Sequence, residues 1–174
     1  MKSLFHKPSP VDRRKVAVLY GAVMARARQP LFFEKLRLPD TFESRFELLA
    51  LHMFLVLARL KWEGTAAREL MRALTEYMVD DLDRAMREMG IGDVGVAKRM
   101  KKLVSGFYGR VLAYEKALRA EDEKEILRAL DRNLFAAMDT NLPRLHAMRA
   151  YLLEQQAALA ARPLAAFLEG EAVF

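Results

Sequence analysis

Apolar residues recur along most of the chain at spacings of three and four, and no stretch alternates convincingly with period two. The pattern therefore predicts helices and no sheet. Val16, Leu19, Tyr20 and Val23 mark one face of a first helix over about 11–28, with Ser9-Pro10 as its start and Gln29-Pro30 as its end. Leu31 to Leu36 forms an apolar connector with room for one helical turn. Asp40 followed by Glu43 reads as a capping box for a second helix, whose apolar face is Phe42, Phe46, Leu49, Met53, Val56, Leu57 and Leu60. A third helix follows Gly64-Thr65 and runs to Met89, with Leu70, Leu74, Tyr77, Met78, Leu82 and Met86 inward and Gly90 as a left-handed cap. Asp93 suits the N-cap of a fourth helix over about 94–119, which buries Met100, Leu103, Val104, Phe107, Val111, Leu112 and Leu118. Acidic residues 121–123 favour the start of a fifth helix reaching about Met138. Asn141-Leu142-Pro143 opens a sixth that ends near Ala161, and residues 163–169 suit a last turn.

These elements make an all-α fold: a single compact domain of about six helices with short loops over residues 11–174, preceded by a flexible N-terminus over 1–10. A length of 174 residues with 53% hydrophobic and 30% charged positions provides a sizeable core. The absence of cysteine excludes disulfides, thiol catalysis, iron–sulfur clusters and cysteine-ligated zinc. Arg13-Arg14-Lys15 ahead of the run from Val16 to Ala25 imitates an export signal, but Tyr20 and Gly21 interrupt the run and Arg26 and Arg28 close it. The stretch from Leu48 to Leu57 is about half the ~20 residues a bilayer requires. A cytoplasmic protein is expected, peripheral at most on the membrane.

Charge sharpens this picture. The net charge is +6, distributed as +7 over residues 1–61, −3 over 62–92, +5 over 93–120 and −3 over 121–174. The basic blocks suit an anionic surface, either ribosomal RNA or lipid headgroups, which is the alternative reading of function: a basic adaptor protein. The densest cluster is Lys98, Arg99, Lys101 and Lys102, close to Tyr108 and Arg110. Catalytic and metal chemistry finds little support. His6, His52 and His146 lie on separate segments without a second ligand at metal spacing. His52, in the most apolar helix, reads as a core histidine with a buried hydrogen bond. Gly90-Ile91-Gly92 is too short for a phosphate loop, and Glu76, Asp80, Asp81 and Asp83 lack the Glu-x-x-His pairs of a di-metal bundle. No catalytic residue, metal or cofactor is expected, and no haem-attachment motif is present.

Two stretches carry more than periodicity. The first is Arg28-Gln29-Pro30-Leu31-Phe32-Phe33 with Leu38-Pro39-Asp40-Thr41-Phe42-Glu43 and Leu51-His52. The second runs Arg87-Glu88-Met89-Gly90-Ile91-Gly92-Asp93 through Lys98-Arg99-Met100-Lys101-Lys102 to Phe107-Tyr108-Gly109-Arg110. Both resemble the ubiquinol–cytochrome c chaperone family over roughly residues 11–160. That resemblance implies a non-enzymatic assembly chaperone for respiratory complex III, working on newly made cytochrome b or a similar membrane subunit at the cytoplasmic face of a bacterial inner membrane. It also implies a ribosome contact near the tunnel exit and a small partner protein, as for the mitochondrial members, and no DNA partner. Mitochondrial members carry N-terminal extensions without a counterpart here.

Such a chaperone needs an apolar groove and polar anchors at its rim. The candidate partner-binding residues are Asp80, Asp83 and Arg87 on the third helix and Lys98, Lys101, Lys102, Tyr108 and Arg110 on the fourth. The acids could equally form an internal network that fixes the hairpin between these helices. Phe32, Phe33 and Phe42 could line the groove or close the core.

Overall fold

The computed structural model describes residues 11–136, 138–139 and 141–174. Eight helices occur among them: α1 (Arg13–Ala27), α2 (Pro30–Glu34), α3 (Phe42–Leu60), α4 (Thr65–Glu88), α5 (Asp93–Arg119), α6 (Glu123–Leu134), α7 (Leu142–Ala160) and α8 (Leu164–Leu168). No strand is present among the described residues. Six helices are long, and α2 and α8 are the two short turns expected after Pro30 and Pro163. The expectation for residues 1–10, and with it the Ser9-Pro10 start, lies outside the described residues.

α3 is the hub. It packs against α1, α4, α5, α6 and α7, and Leu48, Leu51, Met53, Val56 and Leu60 are fully enclosed. Its near-continuous apolar run, Leu48 to Leu57, suits a helix buried all round rather than one with a single inward stripe. The surrounding helices have one buried face each. On α4 this is Ala67, Leu70, Leu74, Met78, Leu82 and Met86, at steps of three and four.

Several termini form by different means than the sequence suggests. The N-cap of α3 is Thr41, whose hydroxyl accepts the Ser44 N–H at 3.3 Å, not Asp40. Asp40 is instead gripped by Nε and Nη2 of Arg45 at 2.6 and 2.9 Å, so its carboxylate serves an ion pair and not the Asp40–Glu43 capping box. α1 begins at Arg13, with Asp12 accepting from Arg14 N–H. Asp93 is the first residue of α5 and Gly92 its cap, because the Asp93 carboxylate is taken by Arg87. α6 stops at Leu134, short of Met138, where the chain turns to bury the Phe135 ring.

Gly90 ends α4 as expected. With φ of +78°, it donates to Arg87 O while Ile91 N–H reaches back to Met86 O, so two terminal carbonyls are satisfied. Gly170 repeats the arrangement after α8, with bonds to Phe167 and Ala166 carbonyls. A methyl group at Gly170 would lie 2.5 Å from Lys15 O, so the segment after α8 rests directly on the backbone of α1. The Lys15 ammonium also meets Glu169 at 2.6 Å. Beyond it Val173 is buried and the Phe174 ring lies 5.6 Å from His52.

Candidate functional site

The eight residues singled out from the sequence fall into three sets. Asp80, Asp83 and Arg87 have partners within the fold. Asp80 accepts from Arg13 at 3.1 Å and ties α4 to α1. Arg87 meets Asp83 at 2.6 Å one turn back and Asp93 across the turn, so one guanidinium bridges α4 and the start of α5. Arg110 is the second set. Its guanidinium grips both carboxylate oxygens of Glu47 on α3, donates to Gly106 O at 2.9 Å and covers the Phe46 ring. Glu47 is 9% exposed, so this is a largely enclosed fork-to-fork pair, and the hydrogen bonds to Glu47 raise the Arg110 pKa above its ordinary value. Lys98, Lys101, Lys102 and Tyr108 form the third set: all are exposed, and the three lysines, like Arg99, have no ion-pair partner among the described residues.

An open groove lies elsewhere along the same helices. The C-terminal end of α3, residues 71–76 of α4 and the second half of α5 enclose a groove of about 590 Å³. Its apolar lining includes Phe54, Leu57, Met71, Val111 and Leu118. Charges along its edge are paired: Lys61 with Glu115, Arg119 with Glu115, and Arg72 with Glu76. Tyr108 stands at one margin and Trp62 at another. Trp62 occupies the turn between α3 and α4, 79% exposed, with the Lys61 ammonium 5.4 Å from its ring centre. It is the chain's single tryptophan. Its signal in the sequence was a large ring placed past Leu60, in a turn where no helical face could bury it.

Leu112 departs from expectation in the same region. It lies among the positions assigned to the core, yet it is 66% exposed, because no helix covers that side of α5. Tyr114 and Ala117 are buried instead, against α3 and α6. Of the three phenylalanines considered for a groove, Phe32 is fully buried, whereas Phe42 lines a second cavity of about 330 Å³ between α1, α3 and α4.

His52 sits at the centre of the core with no exposed surface. Its Nδ1–H donates to Leu48 O at 2.7 Å, which leaves Nε2 to accept the Tyr151 hydroxyl proton, also at 2.7 Å. The Tyr151 oxygen in turn accepts from Arg26 Nε at 3.1 Å. Burial lowers the His52 pKa from 6.5 to about 4, and the nearby Arg26 charge acts the same way, so the ring is neutral near pH 7. Both nitrogens are occupied by the fold, and Phe32, Tyr151 and Phe174 close around the ring edge to face. No group of three or more His, Cys, Asp or Glu side chains converges as a metal-binding set among the described residues.

The ubiquinol-cytochrome C chaperone family matches residues 34–174, which include α3, the groove and both helices of the α4–α5 hairpin. The chain belongs to that family. A crystal structure of the Cbp3 homolog from Brucella abortus superposes with a TM-score of 0.80 at 39% identity, covering 90% of this chain and 86% of that one. Among relatives, the ubiquinol-cytochrome-c reductase complex assembly factor 1 of Xenopus laevis is 30% identical over 81% of this chain and 71% of its own length. The corresponding mouse protein is 29% identical over 62% of this chain, which spans only 37% of its length. This family member is thus related to complex III assembly factors, and no helix among its described residues is long and apolar enough to cross a membrane.

Proposed function

We propose that this protein is a non-enzymatic assembly factor for ubiquinol–cytochrome c reductase that holds an apolar segment of newly made cytochrome b in the groove between α3, α4 and α5. The groove is the observation that carries this reading. Met71, Val111 and Leu118 remain half-exposed over the buried Phe54 and Leu57, so an apolar face laid into the groove would complete their burial. A helix-in-groove contact would take one apolar face of a membrane subunit and leave the paired charges of the rim to meet its polar ends. The frog and mouse relatives are assembly factors of the same reductase, which supports a client from that complex. Synthesis of that client places the encounter at the cytoplasmic face of a bacterial inner membrane.

The experiment is site-specific photo-cross-linking in the native host, with a photoreactive residue at Met71 or Thr75 in the groove and at exposed Leu142 as the control. An adduct with cytochrome b from the groove positions and none from Leu142 is expected. The matching genetic result is depletion of cytochrome b and of the haem b signal in membranes of a deletion strain, with its transcript unchanged. An intact reductase in that strain, or adducts only with unrelated proteins, overturns the reading.

A further inference from the structure

We infer that the outer face of α5, together with Trp62, seats the protein on the surface of an anionic lipid bilayer. The argument begins with helical spacing. Val94, Lys98, Lys101, Ser105, Tyr108 and Leu112 follow one another at steps of three and four, so they form one stripe about 27 Å long on α5. Val94 is 87% exposed, Tyr108 53% and Leu112 66%, so the stripe is an open surface that interleaves aliphatic and aromatic groups with lysines. Lys102 and Lys116 flank it.

This face gathers ammonium groups that have no carboxylate partner among the described residues. Most arginines on α1, α3 and α4 have a carboxylate partner, whereas Lys98, Lys101, Lys102 and Lys116 have none among the described residues. The segment 93–120 carries a net +5. Unpaired ammonium groups beside exposed apolar side chains complement a headgroup layer, where phosphates meet the lysines and the first methylenes receive Val94 and Leu112. A phosphate backbone of RNA would satisfy the lysines but give the aliphatic side chains nothing to bury, so the interleaving favours the bilayer. Trp62 continues the same surface, since its ring and that of Tyr108 border one groove. Tryptophan and tyrosine rings are suited to the interfacial layer because each is apolar in body and polar at one edge. The seat would therefore hold the mouth of the groove next to the membrane, which deepens the client reading while requiring no client for its own test.

The exposed single tryptophan makes the test direct. The purified full chain is mixed with phosphatidylcholine vesicles, with or without a third of phosphatidylglycerol, and followed by tryptophan emission and by flotation. A blue shift and co-flotation with the anionic vesicles alone are expected. Lys98→Glu/Lys101→Glu should weaken the partition by about tenfold or more. Val94→Ser/Leu112→Ser should also weaken it while leaving its salt dependence unchanged, because the lost contribution is apolar. All four positions are exposed, and circular dichroism checks that the variants fold. Absence of flotation overturns the proposal. So does binding that Val94→Ser/Leu112→Ser leaves untouched and that an RNA homopolymer competes away, since the face would then be a polyanion site. The vesicles contain no cytochrome b, so failure here leaves the groove reading standing, and failure of the cross-link leaves the membrane seat standing.

Discussion

Mild acid destabilises the fold through one buried group before it reaches most of the carboxylates. His52 is neutral in the folded core, with its pKa lowered to about 4 by burial, while in the unfolded chain it returns to about 6.5. Below the unfolded value the unfolded state binds a proton that the folded state refuses, so stability falls as pH falls. The contribution is fully present above about 6.5 and is lost progressively toward about 4, where the folded protein takes up the proton as well. At about 1.36 kcal/mol per pH unit across that interval, the loss reaches about 3 kcal/mol. The groups facing the ring reinforce the sign: Arg26 repels a second positive charge, and the rings of Phe32, Tyr151 and Phe174 carry no negative charge at neutral pH. The assay is urea denaturation at a series of pH values from above 6.5 to about 4, on the parent and on His52→Gln. Glutamine offers an amide oxygen to Tyr151 and does not titrate. The variant should be less stable at neutral pH, and its profile should lack the slope that the parent shows across the window. Parallel profiles for the two proteins would refute the reasoning, because carboxylate titration is common to both.

The remaining predictions concern the pairs and turns. Glu47→Ala leaves the Arg110 guanidinium partly enclosed and unpartnered, and should cost about 3 kcal/mol, or about 6–12 °C in melting temperature for a domain of this size. Gly170→Ala combines a positive φ with a methyl group 2.5 Å from the Lys15 carbonyl oxygen. It should destabilise more than Gly90→Ala, which has a similar φ and open space and should cost about 1 kcal/mol in a melt. Glu121 holds a φ of +52° just after α5, so Glu121→Gly should raise stability by up to about 1 kcal/mol, checked by the same denaturation series.

The helices were legible because each carries a local instruction. The spacing of Leu70, Leu74, Met78 and Leu82 sets the inward face of α4, Asn141 caps α7 through the Arg144 N–H, and Gly90 supplies the positive φ that stops α4. Periodicity says which way a side chain points but not whether another helix stands there, which is why Leu112 reads as core and is open to solvent. The groove was hidden for the same reason. Phe54, Leu57, Met71, Val111 and Leu118 come from three helices, and each alone looks like an ordinary core position. Pairings such as Arg13 with Asp80 and Glu47 with Arg110 join residues more than sixty positions apart, and no local pattern announces them. Of the residues chosen as anchors, only the exposed lysines and Tyr108 remain without such a partner among the described residues.

The seam between α1 and the segment after α8 bears on the order in which the chain can assemble. Lys15 and Glu169 are separated by 154 positions, yet they meet, and Gly170 lies against the backbone at Lys15. During synthesis α1 leaves the ribosome early and finds α3 and α4 soon afterwards, but the surface around Lys15 stays open until residue 170 has been made. Closure of that seam is a long-range event with a large loop to gather in. This step of folding should therefore wait until residue 170 has left the ribosome, and for that interval His52 lacks the Phe174 ring that closes its pocket.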